Sequence, residues 1–256
     1  MSAPAAVRLT LEGNKRMKVY AMTDVGRVRP INEDAYYLPQ NGEKFCAVAD
    51  GMGGHKAGEV ASALAVETFS RVMRSAGRPG SHVLHTAVVR ANEAVFEEAG
   101  RDDSKRGMGT TMTAMCLEGE TVHIAHVGDS RAYLIRNGAI MRVTMDHTLV
   151  EEMVMQGLIT AREARVHPKR NLVTRALGTN AKVDIDLIQL EVRPDDVFLL
   201  CSAGLSNMVD EKNMLSVTLG AKGWQEKVKD LVRLALEAGG PDNITAMYVT
   251  FEEEHQ

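Results

Sequence analysis

The stretch from residue 110 to residue 143 restricts the possible folds of this chain most strongly. Its apolar runs are short, and the turn signals "EGE" and "RNG" separate them. Short runs with such turn residues between them are typical of strands joined by hairpins. This stretch therefore predicts an antiparallel meander, because the strands of a parallel sheet would alternate with helices.

Helical periodicity appears before and after this stretch. Between residues 57 and 73, apolar residues recur three and four positions apart, which predicts a helix with a wide apolar stripe. A second helix is predicted after Ser81 as N-cap, with these residues facing inward: Leu84, Ala87, Val88, Ala91 and Val95. A last helix at about 224–238 ends before Gly-Gly-Pro and precedes a strand at 244–251. The order of elements predicts an α+β fold with antiparallel sheets.

The 256 residues are enough for one large domain. We predict a single domain over residues 17–256, with residues 147–178 forming a small, irregular insert that we call the flap. Its sequence predicts two short helices. Residues 1–16 precede a second methionine, so we interpret them as an N-terminal extension, either native or left over from expression.

Charge and composition exclude several classes of function. The net charge of -4 is spread along the chain, so no nucleic-acid partner is expected. No apolar run is long enough to span a membrane, and the N-terminus lacks the pattern of a signal peptide, which predicts a cytoplasmic protein without a membrane partner. The three cysteines lie in apolar runs without C-x-x-C spacing and are expected to be reduced core residues.

Aspartates next to glycine recur where apolar runs end or begin. Asp50 precedes Gly51, Asp129 follows Gly128, and Asp242 lies just ahead of the last strand. Each one alone is better explained as a turn residue. Together they indicate carboxylates that meet at one edge of a sheet, where oxygen ligands without cysteine select Mg²⁺, Mn²⁺ or Ca²⁺ over zinc.

Other catalytic motifs do not fit the sequence. The glycine-rich "DGMGGHKAGE" lacks the phosphate-loop spacing, and Lys56 stands where a dinucleotide fingerprint needs a small residue. Ser202 lies in "CSAGL" and not in the G-x-S-x-G turn of a serine hydrolase. His123 and His126 are three apart on a predicted strand, so they face opposite sides and make a poor metal pair.

Ordered motifs between about residues 23 and 249 carry a family resemblance: "TDVGRVRPINEDA", "VADGMGG", "GMGTT", "HVGDSRAYL", "HPKRNLVTRALG", "LLCSAGLSNMV" and "GGPDNIT". The chain resembles the bacterial metal-dependent Ser/Thr protein phosphatases of the phosphatase-2C type, the PPM family. The resemblance implies two antiparallel sheets stacked face to face and flanked by helices, a four-layer αββα sandwich. It also implies two or three Mn²⁺ or Mg²⁺ ions at one end of the sandwich.

The resemblance also implies roles for individual residues in the metal site. Asp50 would bridge the two central metals, the Gly51 carbonyl would add a ligand, and Asp242 would complete the first metal's set. Glu33 would act through a metal-bound water. Asp129 would help to hold a third metal beside the flap.

Two further residues would serve the reaction, the hydrolysis of phosphoserine and phosphothreonine by a metal-activated water. Asp34 would hydrogen-bond the nucleophilic water, and Arg29 would bind the substrate phosphate, because its planar fork can donate two parallel hydrogen bonds. The partners implied are phosphoproteins, notably a Ser/Thr kinase and its targets, acted on by a monomer.

Two positions depart from the family pattern. Ala203 stands where the family has a metal-binding aspartate, and Met52 stands where relatives outside bacteria have histidine. Bacterial members commonly lack that histidine, so Met52 is the milder departure. Because Ala203 cannot bind a metal, we expect fewer or more weakly bound ions and impaired activity. Either an engineered substitution or a natural pseudophosphatase would explain Ala203; the first is favoured because the other site residues are kept. The alternative function is an inactive module that binds phosphoproteins or a kinase, whereas a plain metal-binding structural domain would leave Arg29 without a role.

Overall fold

The computed structural model describes residues 15–53, 57–101 and 103–253. Its strands are β1 Lys15–Asp24, β2 Asp34–Tyr37, β3 Phe45–Met52, β4 Gly109–Thr110, β5 Met112–Glu118, β6 Thr121–Val127, β7 Arg131–Arg136, β8 Ala139–Arg142, β9 Asp186–Glu191, β10 Val197–Cys201 and β11 Ile244–Glu253. Its helices are α1 Ala57–Ser75, α2 Ser81–Arg101, α3 Leu149–Met155, α4 Ala161–Val166, α5 Ala203–Ser206, α6 Glu211–Leu219 and α7 Trp224–Glu237.

The strands form two antiparallel sheets. One has five strands in the order β1-β11-β10-β7-β8, and the other has six, in the order β2-β3-β5-β6-β9 with β4 paired to β3. The final strand, β11, lies between β1 and β10, and its residues 244–250 are buried, as its apolar sequence predicted. The predicted α+β class with antiparallel sheets is confirmed.

Apolar side chains divide the molecule into four layers. Between the two sheets lie side chains from both, including Met115, Ile124, Phe198, Leu200 and Met247. Helices α1 and α2 cover the outer face of the six-stranded sheet through residues such as Ala61, Phe69, Leu84 and Val95. Helices α5 to α7 cover the outer face of the five-stranded sheet through Leu205, Met214, Val228 and Leu231. This arrangement is the αββα sandwich that the resemblance implied.

The predicted helices are present, with one change at a terminus. Helix α2 begins at Ser81 itself, so Ser81 is its first residue and not the predicted N-cap. The five residues predicted to face inward are buried. Helix α7 ends just before Gly239 and Gly240, whose φ angles of 121° and 50° are unfavourable for other residues, so the helix cannot continue through them.

The predicted meander is wrong in one respect: its strands belong to two sheets. Strands β5 and β6 form a hairpin in the six-stranded sheet, whereas β7 and β8 form a hairpin in the five-stranded sheet. The chain crosses between the sheets at Gly128, Asp129 and Ser130. Gly128 has φ 109°, and a Cβ atom there would lie 2.5 Å from the Thr111 side chain, so the crossing requires glycine. The crossing carries Asp129 to the end of the sandwich.

The flap contains the two short helices that its sequence predicted, α3 and α4. Thr148 caps α3, and Thr160 forms a capping box with Glu163 at the start of α4. The returning chain joins the body of the fold through a bridge between Thr110 and Leu177.

The N-terminal boundary differs from the prediction. Strand β1 begins at Lys15, so residues 15 and 16 of the expected extension belong to the five-stranded sheet. Residues 1–14 lie outside the described residues. Within the described part of the chain, no helix is both long enough and apolar enough to cross a membrane.

Candidate active site

Strand register brings the predicted aspartates to one end of the sandwich, which we call the carboxylate edge: Asp34, Asp50, Asp129 and Asp242. Asp34 begins β2 and lies directly opposite Asp50 in β3. Asp129 lies at the crossing between the sheets, and Asp242 precedes β11. Asp34, Asp129 and Asp242 all raise the pKa of Asp50 through charge repulsion, so the four carboxyl groups are close enough to interact.

Asp50 is the most strongly perturbed carboxyl at this edge. Burial raises its pKa well above the usual value, and the neighbouring aspartates raise it further. The nearby backbone N–H of Ala203 opposes this shift in the pKa of Asp50. Asp50 therefore lies where an additional positive charge would be strongly stabilising.

Glu33 is held against the backbone of the glycine-rich segment. The Gly51 N–H donates to the Glu33 carbonyl at 3.0 Å, and Oε1 of Glu33 is buried with no hydrogen bond of normal geometry among the described residues. Burial raises the pKa of Glu33, and the nearby Gly58 N–H opposes this shift. A Cβ atom on Gly51 would lie 2.1 Å from the Gly58 carbonyl, and one on Gly58 would lie 2.5 Å from Oε1 of Glu33. Both glycines are needed because the backbone approaches so closely.

Asp34 uses only one of its two carboxyl oxygens within the protein. Its Oδ2 accepts from the Ser202 hydroxyl at 2.7 Å and from the Thr245 hydroxyl at 2.6 Å. Its Oδ1 is buried with no partner among the described residues. Burial raises the pKa of Asp34 to about 6, although the two hydroxyl groups oppose the shift.

Arg29 lies at the margin of the carboxylate edge. Its Nε and Nη2 atoms contact the two carboxylate oxygens of Asp242 at 2.9 Å and 3.0 Å, and its Nη1 lies 4.0 Å from Glu33. Asn243 positions the loop that carries Arg29, since its Nδ2 donates to the carbonyls of Val25 and Ile31, each at 2.9 Å. The fork of Arg29 is therefore turned toward Asp242 in this structure.

Asp129 lies beside a second group of charged residues. Burial raises its pKa to about 6; Asp146 raises it further, whereas Arg131 lowers it. His147 clamps the preceding residue, because its backbone N–H donates to the Gly128 carbonyl at 2.8 Å and its Nδ1 accepts from the Gly128 N–H at 3.0 Å. Sequence analysis did not single out this clamp.

A hard divalent cation fits the donors at the carboxylate edge. No three side chains of His, Cys, Asp or Glu within residues 15–53, 57–101 and 103–253 form a tight metal-binding group by themselves. Mg²⁺ and Mn²⁺ do not require one, because Mg²⁺ commonly keeps several waters and takes only one or two carboxylates. The repelling carboxyl groups and the unpartnered oxygens of Glu33 and Asp34 are the donors such an ion needs.

A comparison with known protein families identifies the family of this chain. The family model described as protein phosphatase 2C matches residues 28–241. The chain belongs to the protein phosphatase 2C family. The match begins just before Arg29 and includes Asp34, Asp50 and Asp129; it ends one residue before Asp242.

Bacterial members of the 2C family are similar along most of this chain. The Ser/Thr protein phosphatase PstP of Mycobacterium tuberculosis is 41% identical over 234 residues, 90% of this chain. The chain spans only 44% of the length of that relative. The Ser/Thr phosphatase stp of Listeria innocua is 38% identical over 89% of this chain and 93% of its own length.

Solved structures of 2C-family members share the fold. A crystal structure of M. tuberculosis PstP superposes with a TM-score of 0.85 at 38% identity, covering 93% of this chain and 99% of that chain. A crystal structure of the PstP catalytic domain in complex with two manganese ions has a TM-score of 0.85 at 36% identity, covering 94% and 100%.

Ala203, the position where the resemblance implied an aspartate, lies close to Asp50. It is the first residue of α5, and its N–H is near the Asp50 carboxyl as described above. Its methyl group supplies no ligand and no charge. Position 203 therefore lies at the carboxylate edge, and the aspartate that the resemblance implies there stays an expectation.

Several polar residues of the edge were missed by sequence analysis, although the motifs "GGPDNIT" and "LLCSAGLSNMV" contain three of them. Ser202 and Thr245 bind Asp34, and Asn243 also accepts the Glu33 N–H at 2.8 Å through its Oδ1. Their signal was their position within family motifs, since a lone Ser, Thr or Asn carries no local sign of what it contacts.

Proposed function

We propose that this chain is a divalent-metal-dependent phosphatase that hydrolyses phosphoserine and phosphothreonine in proteins, and that Ala203 impairs it. The observation that carries the proposal is the carboxylate edge itself. It gathers the buried carboxyl groups of Asp34, Asp50 and Asp129 near an arginine fork, and bound cations would offset their mutual repulsion. The family and the manganese-containing relative support the same reading.

Some residues of the carboxylate edge would bind metal ions, and others would take part in the reaction. Asp50, the Gly51 carbonyl, Asp242 and Asp129 would hold Mn²⁺ or Mg²⁺, and Glu33 would act through a water. Bound ions would lower the pKa of a water molecule and shield the phosphoryl oxygens from the incoming nucleophile. The family pattern has two or three ions, and without a carboxylate at position 203 we expect fewer ions or weaker binding.

Asp34 and Arg29 would act on water and substrate. The water oxygen forms a bond to phosphorus while the ester P–O bond breaks. The electron pair of the broken bond stays on the departing serine or threonine oxygen, which takes up, net, the proton that the attacking water loses. The unpartnered Oδ1 of Asp34 can accept a hydrogen bond from the attacking water. Arg29 can turn from Asp242 to the phosphate, because guanidinium binds either anion through the same two donors.

The substrates we propose are phosphoproteins, with a Ser/Thr kinase and its targets among them, acted on by a monomer in the cytoplasm. The similar Ser/Thr phosphatases of Mycobacterium tuberculosis and Listeria innocua support this substrate class.

Ala203 favours a second candidate, a module that binds phosphoproteins or a kinase without turnover. The missing carboxylate removes a ligand while leaving Arg29, Asp34 and Asp50 in place. Removing a negative charge also favours retention of an anionic phosphopeptide.

Restoring the carboxylate tests the proposal. Ala203→Asp should raise Mn²⁺-dependent hydrolysis of a phosphothreonine peptide at least about 100-fold. Loss of a residue that only supports a metal ligand typically costs about 10- to 100-fold, and loss of a direct ligand should cost at least as much. Asp50→Asn in the Ala203→Asp chain is the matched control and should abolish the gain.

The outcomes separate the candidates. A folded Ala203→Asp chain that releases no phosphate in Mn²⁺ would overturn the phosphatase proposal. Phosphopeptide binding without hydrolysis in both chains, lost on Arg29→Ala, would support the binding module instead.

A further inference from the structure

A closed ring of hydrogen bonds lies behind Asp34. Beyond the Thr245 hydroxyl that donates to Asp34, the Thr23 hydroxyl lies 2.8 Å from the Thr245 hydroxyl. Asn32 donates from Nδ2 to the Thr23 hydroxyl at 2.9 Å, and its Oδ1 accepts the Asp34 N–H at 3.1 Å. The ring therefore starts and ends on Asp34.

When Asp34 is ionised, each side-chain proton in this ring has one place. Thr245 has a single hydroxyl proton, which it donates to Asp34, so Thr23 must donate to Thr245. Thr23 is free to do so because it accepts from Asn32. The side-chain donors of the ring therefore run in one direction, from Asn32 through Thr23 and Thr245 to Oδ2 of Asp34.

Ser202 completes the support from the other side. Its hydroxyl accepts the Thr245 N–H at 2.9 Å, and this leaves its proton for Oδ2 of Asp34 at 2.7 Å. Both Ser202 and Thr245 are fully buried, so water does not compete for these bonds. Two short, charge-assisted bonds hold one carboxyl oxygen, while the other keeps no partner among the described residues.

We propose that Thr245 and Ser202, with Thr23 and Asn32 behind them, are positioning residues that hold Asp34 by Oδ2 so that Oδ1 faces the attacking water. The inference rests on the proposed function, since it assigns the residues that prepare Asp34 for it. A carboxyl group fixed in this way loses no time or free energy in reorientation when the water binds.

Substitutions of Thr245 separate positioning from simple packing. In the Ala203→Asp chain, Thr245→Val should lower kcat about 10- to 100-fold, the usual effect of removing a supporting hydrogen bond, with KM changed less than about twofold. Thr245→Ser, which keeps the hydroxyl, should retain kcat within about threefold. Thr23→Val, one step further along the ring, should have a smaller effect than Thr245→Val.

Thr218→Val is the matched control. Thr218 is also a buried threonine. Its hydroxyl donates to the Met214 carbonyl and lies 2.7 Å from the Tyr248 hydroxyl, and neither partner belongs to the ring around Asp34. It should leave kcat unchanged. Thermal unfolding of all variants measures the packing cost that any buried threonine-to-valine change carries.

A crystal structure of Thr245→Val provides the readout that does not depend on turnover. We expect the Asp34 carboxyl to rotate away from its position in the Thr245→Ser variant. An unmoved Asp34 carboxyl, or an unchanged kcat in an active Ala203→Asp background, would overturn the positioning role. Absence of hydrolysis in Ala203→Asp would overturn the proposed function instead, and the Asp34 rotation would still decide the role of the ring.

Discussion

Two pairs of aspartates in this molecule differ in how their charge is balanced. Asp146 accepts from Arg131 at 2.9 Å and 2.5 Å, and Asp196 accepts from Arg136 at 2.8 Å and 2.6 Å. Asp34 and Asp50, at the carboxylate edge, have no arginine or lysine partner within the described part of the chain, and they repel one another.

The difference separates carboxylates that are neutralised within the fold from carboxylates that remain available to a ligand. Asp146 and Asp196 are neutralised within the protein by a bidentate arginine, so the native state is complete without another ion. Asp34 and Asp50 receive only hydroxyl or amide hydrogen bonds, and burial raises the pKa of each. Such groups weaken the isolated fold unless an external cation binds there.

The largest effect is expected at an internally paired aspartate. Asp146→Asn leaves Arg131 mostly buried without its counterion, so we expect unfolding free energy to fall by about 3 kcal/mol, the usual cost of breaking a buried pair. Urea denaturation in a chelator measures it. Asp50→Asn is the matched control and should cost less than about 1 kcal/mol, because it removes repulsion along with its hydrogen bond. Equal losses of unfolding free energy in the two variants would contradict the difference between paired and unpaired aspartates.

The next effect is expected from pH and is at most of the same size. The pKa of Asp34 is raised from 3.8 to about 6, so the protonated group is the better accommodated form. Its contribution to stability is present below about pH 4 and is lost as pH rises through about 6, by up to roughly 3 kcal/mol.

Denaturation in a chelator between pH 4 and pH 8, compared with Asp34→Asn, isolates this contribution. The chain should lose stability relative to the variant as pH rises. A difference that stays constant with pH, or grows in favour of the chain, would show that Asp34 is not the repelled carboxyl of the comparison.

Local sequence patterns predicted the helices with a continuous apolar face and the strand that is buried on both faces. Helices α1, α2 and α7 and strand β11 each bury a continuous stripe or run, so periodicity alone locates them. Strand β9 was missed, although its residues alternate in exposure, because it is a short edge strand with one face in solvent. The sheet change at Gly128 was missed for another reason: sequence spacing predicts strands but not which sheet each one joins.

The site divides in a similar way. Asp50 and Asp129 could be found beside glycine, and the family motifs pointed to Arg29 and Glu33. The contacts could not be found, since Arg29 meets Asp242 and Asp34 meets Thr245 across more than two hundred residues. Such pairings arise from the sheet order and leave no local signal in the sequence.

Mn²⁺ binding measured by calorimetry tests the central claim, that the carboxylate edge is completed by a divalent cation. This chain should bind at least one Mn²⁺, and Ala203→Asp should bind at least about tenfold more tightly, because it adds a ligand. Asp50→Asn should abolish binding, whereas Asp196→Asn, at an internally paired aspartate, should leave it unchanged in a folded chain. No binding at millimolar Mn²⁺ by the chain and by Ala203→Asp, or equal binding by Asp50→Asn, would contradict the account.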